Sequence, residues 1–138
     1  MSAKTIRDID VIRTFVLQGT LNFTRYFFKI RQKRKFVVGK HHREIAAALD
    51  KVLCGEITRL IINIAPRYGK TELAVKNFIA EGLDINPKAK FIHLSYSDDL
   101  ARDNSRGVQD IINEPEYRRI FPATIPTSTN TKKWYTTE

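Results

Sequence analysis

The stretch "IINIAPRYGKTELAV", residues 61–75, decides how this chain is expected to fold. An apolar run rich in β-branched residues is followed by a turn, by the tripeptide Gly69-Lys70-Thr71 and by a sequence with helical periodicity. This order is typical of a phosphate-binding loop (P-loop), in which backbone N–H groups and a lysine surround the phosphates of a nucleotide. One position departs from the pattern, because Ile64 stands where such a loop usually begins with glycine.

Each part of the stretch has a predicted role. Residues 59–64 are predicted to form a buried parallel strand, residues 65–69 a turn, and residues 71–80 a helix. Lys70 is placed to reach the β- and γ-phosphates and Thr71 to bind Mg²⁺. Arg67 could reach the γ-phosphate and stabilise charge in the transition state; a surface salt bridge is the alternative for this residue. An ordinary turn between a strand and a helix is the alternative for the whole stretch.

A second apolar run, "KFIHLS" at residues 90–95, predicts another strand after this helix. Strand, helix and strand in this order form a right-handed βαβ unit. The sequence therefore predicts an α/β fold like that of P-loop NTPases, with a partial, mainly parallel sheet flanked by helices. Further helices are predicted at residues 10–18, 23–35 and 41–56, after Ser97 or Asp98, and briefly after Pro115. An edge strand is possible at residues 133–136.

Two acidic residues and two histidines raise separate questions. Asp98 and Asp99 follow the second apolar run, so they either start a helix or bind Mg²⁺, and the helix start is favoured. His41 and His42 are adjacent on a predicted helix, where side chains point about 100° apart, so a shared metal site is not expected. Ordinary surface histidines are the favoured interpretation.

The charge of the chain is concentrated near its beginning. The net charge is +9, and residues 1–40 carry ten Lys or Arg against two Asp. This basic segment indicates either a solvated surface or binding to a polyanion such as DNA. Its aromatic and apolar residues, Phe23, Phe27, Phe28 and Ile30, favour a core face beside a wet face over a dedicated DNA-binding helix. In the DNA-binding case, the contacts are expected from Arg31, Lys33, Arg34 and Lys35.

Composition sets outer limits on the class of protein. With 42% apolar residues the 138-residue chain can bury a core, so a soluble globular protein is expected. Cys54 is the sole cysteine, which excludes an internal disulfide and favours a reducing cytoplasm. No apolar stretch approaches the length of a membrane span.

The segments "GEITRLIINIAPRYGKTELA" and "KFIHLSYSDDLARDNSRGVQDIINEPEYRRIFP" resemble the large terminase subunit of tailed bacteriophages, the ATPase that packages DNA into capsids. The similarity covers about residues 37–122. The loop of this family is itself divergent, with proline and arginine ahead of Gly-Lys-Ser/Thr, and its next strand ends in an aromatic-serine pair, here Tyr96-Ser97. The family therefore tolerates Ile64 in place of glycine.

The resemblance implies roles for particular residues. Lys70 would bind the phosphates of ATP, Thr71 the Mg²⁺ ion, and Arg67 would act in catalysis; Lys70 and Arg67 are the predicted catalytic residues. His42 would lie in the segment beside the adenine, and Glu72 would flank the loop. The predicted cofactor-binding residues are Ala65, Pro66, Arg67, Tyr68, Gly69, Lys70, Thr71, Glu72 and His42.

The resemblance also implies an organisation and a set of partners. Residues 1–40 would be a basic helical arm, residues 41–122 the beginning of the ATPase domain, and residues 123–138 a polar tail that stops before the Walker B strand. The Walker B carboxylates and a nuclease domain would then lie beyond Glu138, so this chain alone is expected to bind MgATP weakly and to hydrolyse it poorly or not at all. The implied partners are double-stranded DNA, the portal protein, the small terminase subunit and further copies in a ring, in the cytoplasm of a bacterial host. The alternatives are another P-loop protein, such as a helicase-like ATPase or a small kinase, and a non-enzymatic DNA-binding remnant of a prophage.

Overall fold

The described part of the chain is built from helices. The computed structural model describes the backbone of residues 3–122 and the side chains of residues 8–122. Within that range, a π-helical segment (Glu72–Asn77) runs directly into one of the α-helices, and the α-helices are α1 (Ala3–Val16), α2 (Thr20–Gln32), α3 (Lys40–Leu53), α4 (Phe78–Ile85), α5 (Asp98–Asn113) and α6 (Pro115–Ile120). The polar tail and the edge strand predicted at residues 133–136 lie outside the described residues.

The predicted α/β fold is wrong. Residues 59–64 and 90–95 are irregular, and no strand or sheet occurs within residues 3–122. A short β-branched run becomes a strand only when its backbone groups pair with a neighbouring segment. Neither run has such a partner here, and Ile61, Ile92 and Leu94 remain 85%, 86% and 85% exposed. The predicted βαβ crossover and the mainly parallel sheet are therefore both absent from the described part of the chain.

The larger hydrophobic core lies between α2 and the last two helices. Phe23 and Phe27 of α2 are fully buried and pack against the rings of Tyr117 and Phe121. The Tyr117 hydroxyl donates a 2.8 Å hydrogen bond to the carbonyl oxygen of Ala80, which ties α6 to α4. The cationic side chains on the opposite side of α2 are exposed. This arrangement confirms the prediction of a core face beside a wet face.

A smaller core lies next to the Gly-Lys-Thr tripeptide. Leu73, two residues after the tripeptide, is fully buried against Ala46 and Leu49 of α3. Partly buried residues complete this cluster: Leu21, Ile45, Ile62, Ala74 and Phe78. Burial of Leu73 fixes the helix that follows the tripeptide onto α3, so the two elements position the loop between them.

Some helix boundaries agree with the sequence predictions and others do not. α1 begins seven residues before the predicted range of 10–18, and both ends of α2 lie three residues before the predicted range of 23–35. The helix with Asp98 and Asp99 in its first turn begins directly after Ser97, which confirms the prediction of a helix start at these carboxylates. The helix predicted over residues 71–80 extends past Gly82 to Ile85. A Cβ at Gly82 would lie 2.5 Å from Cζ of Phe91, so close packing accounts for this glycine.

The lengths and compositions of the helices give one result about membranes. None of the helices in the described residues is both long enough and apolar enough to cross a bilayer.

Candidate phosphate-binding loop

The loop before the π-helical segment holds two residues with a left-handed backbone. Arg67 has φ 69° and Gly69 has φ 71°, with Tyr68 between them. This conformation is costly for a residue with a side chain, so Arg67 stores strain, whereas Gly69 adopts it freely. Left-handed residues in a short turn occur in the concave N–H arrangements, called nests, that bind anions.

The N–H groups of this loop have no hydrogen-bond partner in the part of the chain that the structure describes. Among the backbone hydrogen bonds of residues 3–122, none is donated by Arg67, Tyr68, Gly69, Lys70 or Thr71. The helix begins at Lys70. Its first hydrogen bond runs from the N–H of Leu73 to the carbonyl oxygen of Gly69 at 3.0 Å. Gly69 therefore occupies the N-cap position, and the free N–H groups at and before the helix start form a site of positive potential.

The cations of the loop have no partner in the described structure. Neither Lys70 nor Arg67 takes part in an ion pair within residues 8–122. Arg67 is exposed and Lys70 is half-buried beside the helix start. The salt bridge considered for Arg67 is thus not formed among these residues. Both side chains are available to an anion bound over the loop.

His42 of α3 contacts the loop and supports it. It is 7% exposed, its Nδ1 accepts a 2.9 Å hydrogen bond from the N–H of Gly39, and its Nε2 lies 2.9 Å from the carbonyl oxygen of Tyr68. Since Nδ1 is an acceptor, neutral His42 carries its proton on Nε2 and donates it to Tyr68. Burial lowers the pKa of His42, and the bond to Tyr68 acts in the opposite direction.

The two adjacent histidines do not diverge as expected from the sequence. Their ring centroids are 3.9 Å apart and the two Nε2 atoms lie 3.1 Å apart. His42 is also buried rather than an ordinary surface histidine. A metal bound to Nε2 of His42 would need the imidazole proton on Nδ1. Nδ1 of His42 already accepts a hydrogen bond from the N–H of Gly39, so it carries no proton. The pair therefore serves as a support for the loop.

A row of aromatic rings connects the loop to the end of α2. Phe28 lies against Phe36 with ring centroids 5.1 Å apart, and Phe36 lies against His42 at 4.8 Å. His41 continues the row to Tyr68 with centroids 5.5 Å apart. These edge-to-face contacts favour one placement of the loop over α3.

Glu72, the residue after Thr71, is held by three side chains. Its Oε1 lies 2.6 Å from Nη1 of Arg31 and accepts a 3.1 Å hydrogen bond from Nδ2 of Asn77, while its Oε2 lies 3.8 Å from Nζ of Lys76. The Arg31 and Glu72 side chains are 8% and 15% exposed. Asn77 also donates a 2.7 Å hydrogen bond to the carbonyl of Glu72, which fits the wider turn of the π-helical segment.

The predicted cofactor-binding residues differ in how they are placed around the loop. Ala65, Pro66, Tyr68 and Thr71 are exposed on the loop, and His42 contacts it from beneath. Glu72 flanks the loop, with its carboxylate engaged by Arg31 and Lys76. Among the described residues, no three His, Cys, Asp or Glu side chains converge to hold a metal ion. A Mg²⁺ ion at Thr71 would therefore take most of its oxygen ligands from phosphate and water.

The sequence patterns placed Arg31 among the possible DNA contacts and did not indicate its contact with Glu72, nor the positions of Phe36 and Asn77 near the loop. A usable signal existed for Arg31, because residues 23, 27 and 31 are spaced by four and share one face of α2. A cation on the face that buries Phe23 and Phe27 needs a counterion. Arg31 also lines an open cleft of about 390 Å³ with Asp110 and Glu114.

Comparison of this chain with protein-family models, with curated protein sequences and with solved structures finds no significant match.

Proposed function

We propose that residues 65–71 bind the phosphate groups of a nucleotide. The observation that carries this proposal is the loop backbone, in which five consecutive N–H groups from Arg67 to Thr71 have no hydrogen-bond partner within residues 3–122, at the start of a helix. Two left-handed residues shape the loop, and two cations beside it, Arg67 and Lys70, form no ion pair with the side chains of residues 8–122. Free N–H groups and a lysine at a helix start are the elements that phosphate binding requires.

The proposed nucleotide is ATP with Mg²⁺. In this arrangement Lys70 neutralises the β- and γ-phosphates, Arg67 lies over the γ-phosphate, and Thr71 contributes its exposed hydroxyl to the metal. His42 supports the loop through the Tyr68 carbonyl, and its side chain is occupied by this bond and by Gly39. We therefore assign His42 a supporting position in the nucleotide site.

The wider proposal is that this chain is the ATP-binding part of a DNA-packaging motor like the terminase large subunit of tailed bacteriophages. This proposal is supported by the resemblance of residues 37–122 to that subunit. It is also supported by the loop N–H groups, which have no partner within residues 3–122. The complete motor would hydrolyse ATP by in-line attack of water on the γ-phosphate, and the developing charge would be neutralised by Lys70, Arg67 and Mg²⁺. In this proposal the motor acts in the bacterial cytoplasm on double-stranded DNA, with a portal protein, a small subunit and further copies of itself.

A direct test uses the loop amides. Nuclear magnetic resonance of the ¹⁵N-labelled chain, titrated with inorganic pyrophosphate, should move the amide signals of residues 67–71 most. The same titration of Lys70→Ala should give smaller shifts and a higher Kd. Shifts spread evenly over the basic residues of α2, with the loop unmoved, would contradict the proposal.

A second candidate function is binding to a polyanion through α2 and the residues after it, because these residues carry exposed cations without acidic partners. Arg25, Lys29, Lys33, Arg34 and Lys35 are exposed, and none forms an ion pair within residues 8–122. Arg31, which was expected among the DNA contacts, does not belong to these exposed cations, because its side chain is buried and paired with Glu72. Cations of this kind release counterions from nucleic acid when they contact phosphates.

A further inference from the structure

Glu72 occupies a position from which a carboxylate normally competes for the N–H groups of the loop. With Gly69 at the N-cap, Lys70, Thr71 and Glu72 are the first three residues of the helix. A glutamate at the third position commonly turns back and accepts a hydrogen bond from the N–H of the N-cap residue, here Gly69. Negative charge is also favoured in the first turn by the helix dipole.

The structure shows this carboxylate turned the other way. Two of its partners, Lys76 and Asn77, lie one turn further along the helix, and the third, Arg31, reaches it from α2. Lys76 and Asn77 draw the carboxylate toward the C-terminal direction of the helix, and Arg31 holds its Oε1 from α2. The 2.6 Å contact with the buried Arg31 guanidinium is the shortest and has the geometry of a charge-assisted hydrogen bond.

We propose that Arg31 is a positioning residue that keeps the phosphate-binding loop open by holding the Glu72 carboxylate off the Gly69 N–H. This inference rests on the proposed phosphate site. Without the Arg31 charge, Glu72 loses its strongest partner and the capping arrangement becomes the favourable one. The carboxylate then occupies a donor that phosphate needs and repels the incoming anion.

The remaining partners of Glu72 do not replace Arg31. Lys76 approaches only to 3.8 Å and its side chain is 23% exposed, so its attraction is weakened by solvent. Asn77 contributes a neutral donor at 3.1 Å. Arg31 alone combines full charge, short distance and burial, which makes it the residue that decides the direction of the carboxylate.

The test compares Arg31→Gln, Arg31→Lys, Glu72→Gln and the double variant Arg31→Gln/Glu72→Gln by titration with inorganic pyrophosphate. Arg31→Gln should bind about tenfold more weakly than the parent, the loss expected for one charged hydrogen bond. Glu72→Gln should bind as tightly as the parent or more tightly. The double variant should regain the affinity of Glu72→Gln, because the competing carboxylate is gone, and Arg31→Lys should lie between the parent and Arg31→Gln.

A ligand-free measurement separates this inference from the proposed function. In Arg31→Gln the Gly69 amide should exchange its hydrogen more slowly than in the parent, because Glu72 now caps it, and the double variant should restore fast exchange. Thermal unfolding followed by circular dichroism shows whether each variant folds; the double variant removes both charges together and carries the test if Arg31→Gln does not fold.

The outcomes are distinct. Unchanged Gly69 exchange in Arg31→Gln, or a double variant that binds pyrophosphate as weakly as Arg31→Gln, would overturn the role of Arg31. If Arg31→Gln does not fold and the double variant does, the double variant is compared with Glu72→Gln. Equal pyrophosphate affinity and equal Gly69 exchange in these two variants would support the role of Arg31. A difference in either quantity would overturn that role. Failure of the parent chain to bind pyrophosphate would overturn the proposed function, while the exchange measurement would still report whether Arg31 directs Glu72.

Discussion

The Nε2–H of His42 donates a hydrogen bond to the carbonyl oxygen of Tyr68 over 2.9 Å, and this bond joins α3 to the middle of the phosphate-binding loop. Gly69, the next residue, approaches so closely that a Cβ on it would lie 2.8 Å from the same nitrogen. The His42 imidazole therefore fixes how closely the loop approaches α3. It also restricts the position after Tyr68 to glycine.

Replacement of Gly69 by alanine should destabilise the protein for two separate reasons. The left-handed φ of 71° is unfavourable for alanine, and the new methyl group would displace His42. We expect a loss of about 2–3 kcal/mol in the free energy of unfolding, measured by chemical denaturation.

Gly55→Ala is the matched control for this experiment. Gly55 has a similar φ of 78°, and a Cβ at this position would meet no atom of the other described residues within 4 Å. Its substitution should cost only the conformational part, about 1 kcal/mol. Equal losses for both variants would show that His42 does not restrict Gly69.

The neutral state of His42 predicts a pH dependence. Burial lowers the pKa of His42 in the folded state below its ordinary value of 6.5, so the unfolded chain binds more protons than the folded chain just below that pH. The stability that His42 provides is therefore present above pH 6.5 and is lost as the pH falls. The difference in free energy of unfolding between the parent and His42→Phe should shrink from pH 7.5 to pH 5.5. A difference that grows toward acid pH would contradict a neutral, hydrogen-bonded His42.

The buried Glu81 predicts the opposite trend. It is 2% exposed, and burial, with smaller contributions from Asp50 and Asp84, raises its pKa from 4.5 to about 8, although the nearby Thr20 hydroxyl acts in the other direction. Its Oε2 has no hydrogen-bond partner within the described residues. The folded chain therefore binds more protons than the unfolded chain between these two values, and stability falls as the pH rises through this window.

Glu81→Gln tests this directly, because glutamine keeps the shape of the protonated acid. The variant should match the parent near pH 4 and exceed it by roughly 2–4 kcal/mol at pH 7.5. Denaturant titrations at several pH values measure the difference. A parent that remains as stable as Glu81→Gln at pH 7.5 would show that Glu81 is solvated or paired as an anion.

The exposed cations after α2 give a prediction for nucleic acid. Substitution of Lys33, Arg34 and Lys35 by glutamate should weaken binding to double-stranded DNA and reduce the slope of log affinity against log salt by about 0.9 for each phosphate that is no longer neutralised. The matched control is the same substitution of Lys51, Lys88 and Lys90, which are exposed elsewhere. Equal losses in both triple variants would point to net charge alone, without a defined surface.

Part of this structure could be predicted from the sequence because the signal was local. Helical periodicity placed α3 and α5 well, and the spacing of Phe23 and Phe27 identified a core face. The two β-branched runs failed because strand formation depends on a partner segment, which a local pattern does not contain. The contacts of His42 and Arg31 with the loop span 26 and 41 residues of sequence. The four-residue spacing places Arg31 on the buried face of α2 but does not show that Glu72 is its partner. The sequence also does not distinguish the buried His42 from its neighbour His41.

The most direct test of the phosphate-binding loop is a calorimetric titration of the chain with MgATP, beside Lys70→Ala and the charge-matched control Lys88→Ala. Our account predicts binding by the parent and by Lys88→Ala, and an affinity at least about tenfold weaker in Lys70→Ala, since one charged contact to phosphate is removed. Equal affinity in all three proteins, or no binding in any of them, would contradict a nucleotide site at residues 65–71.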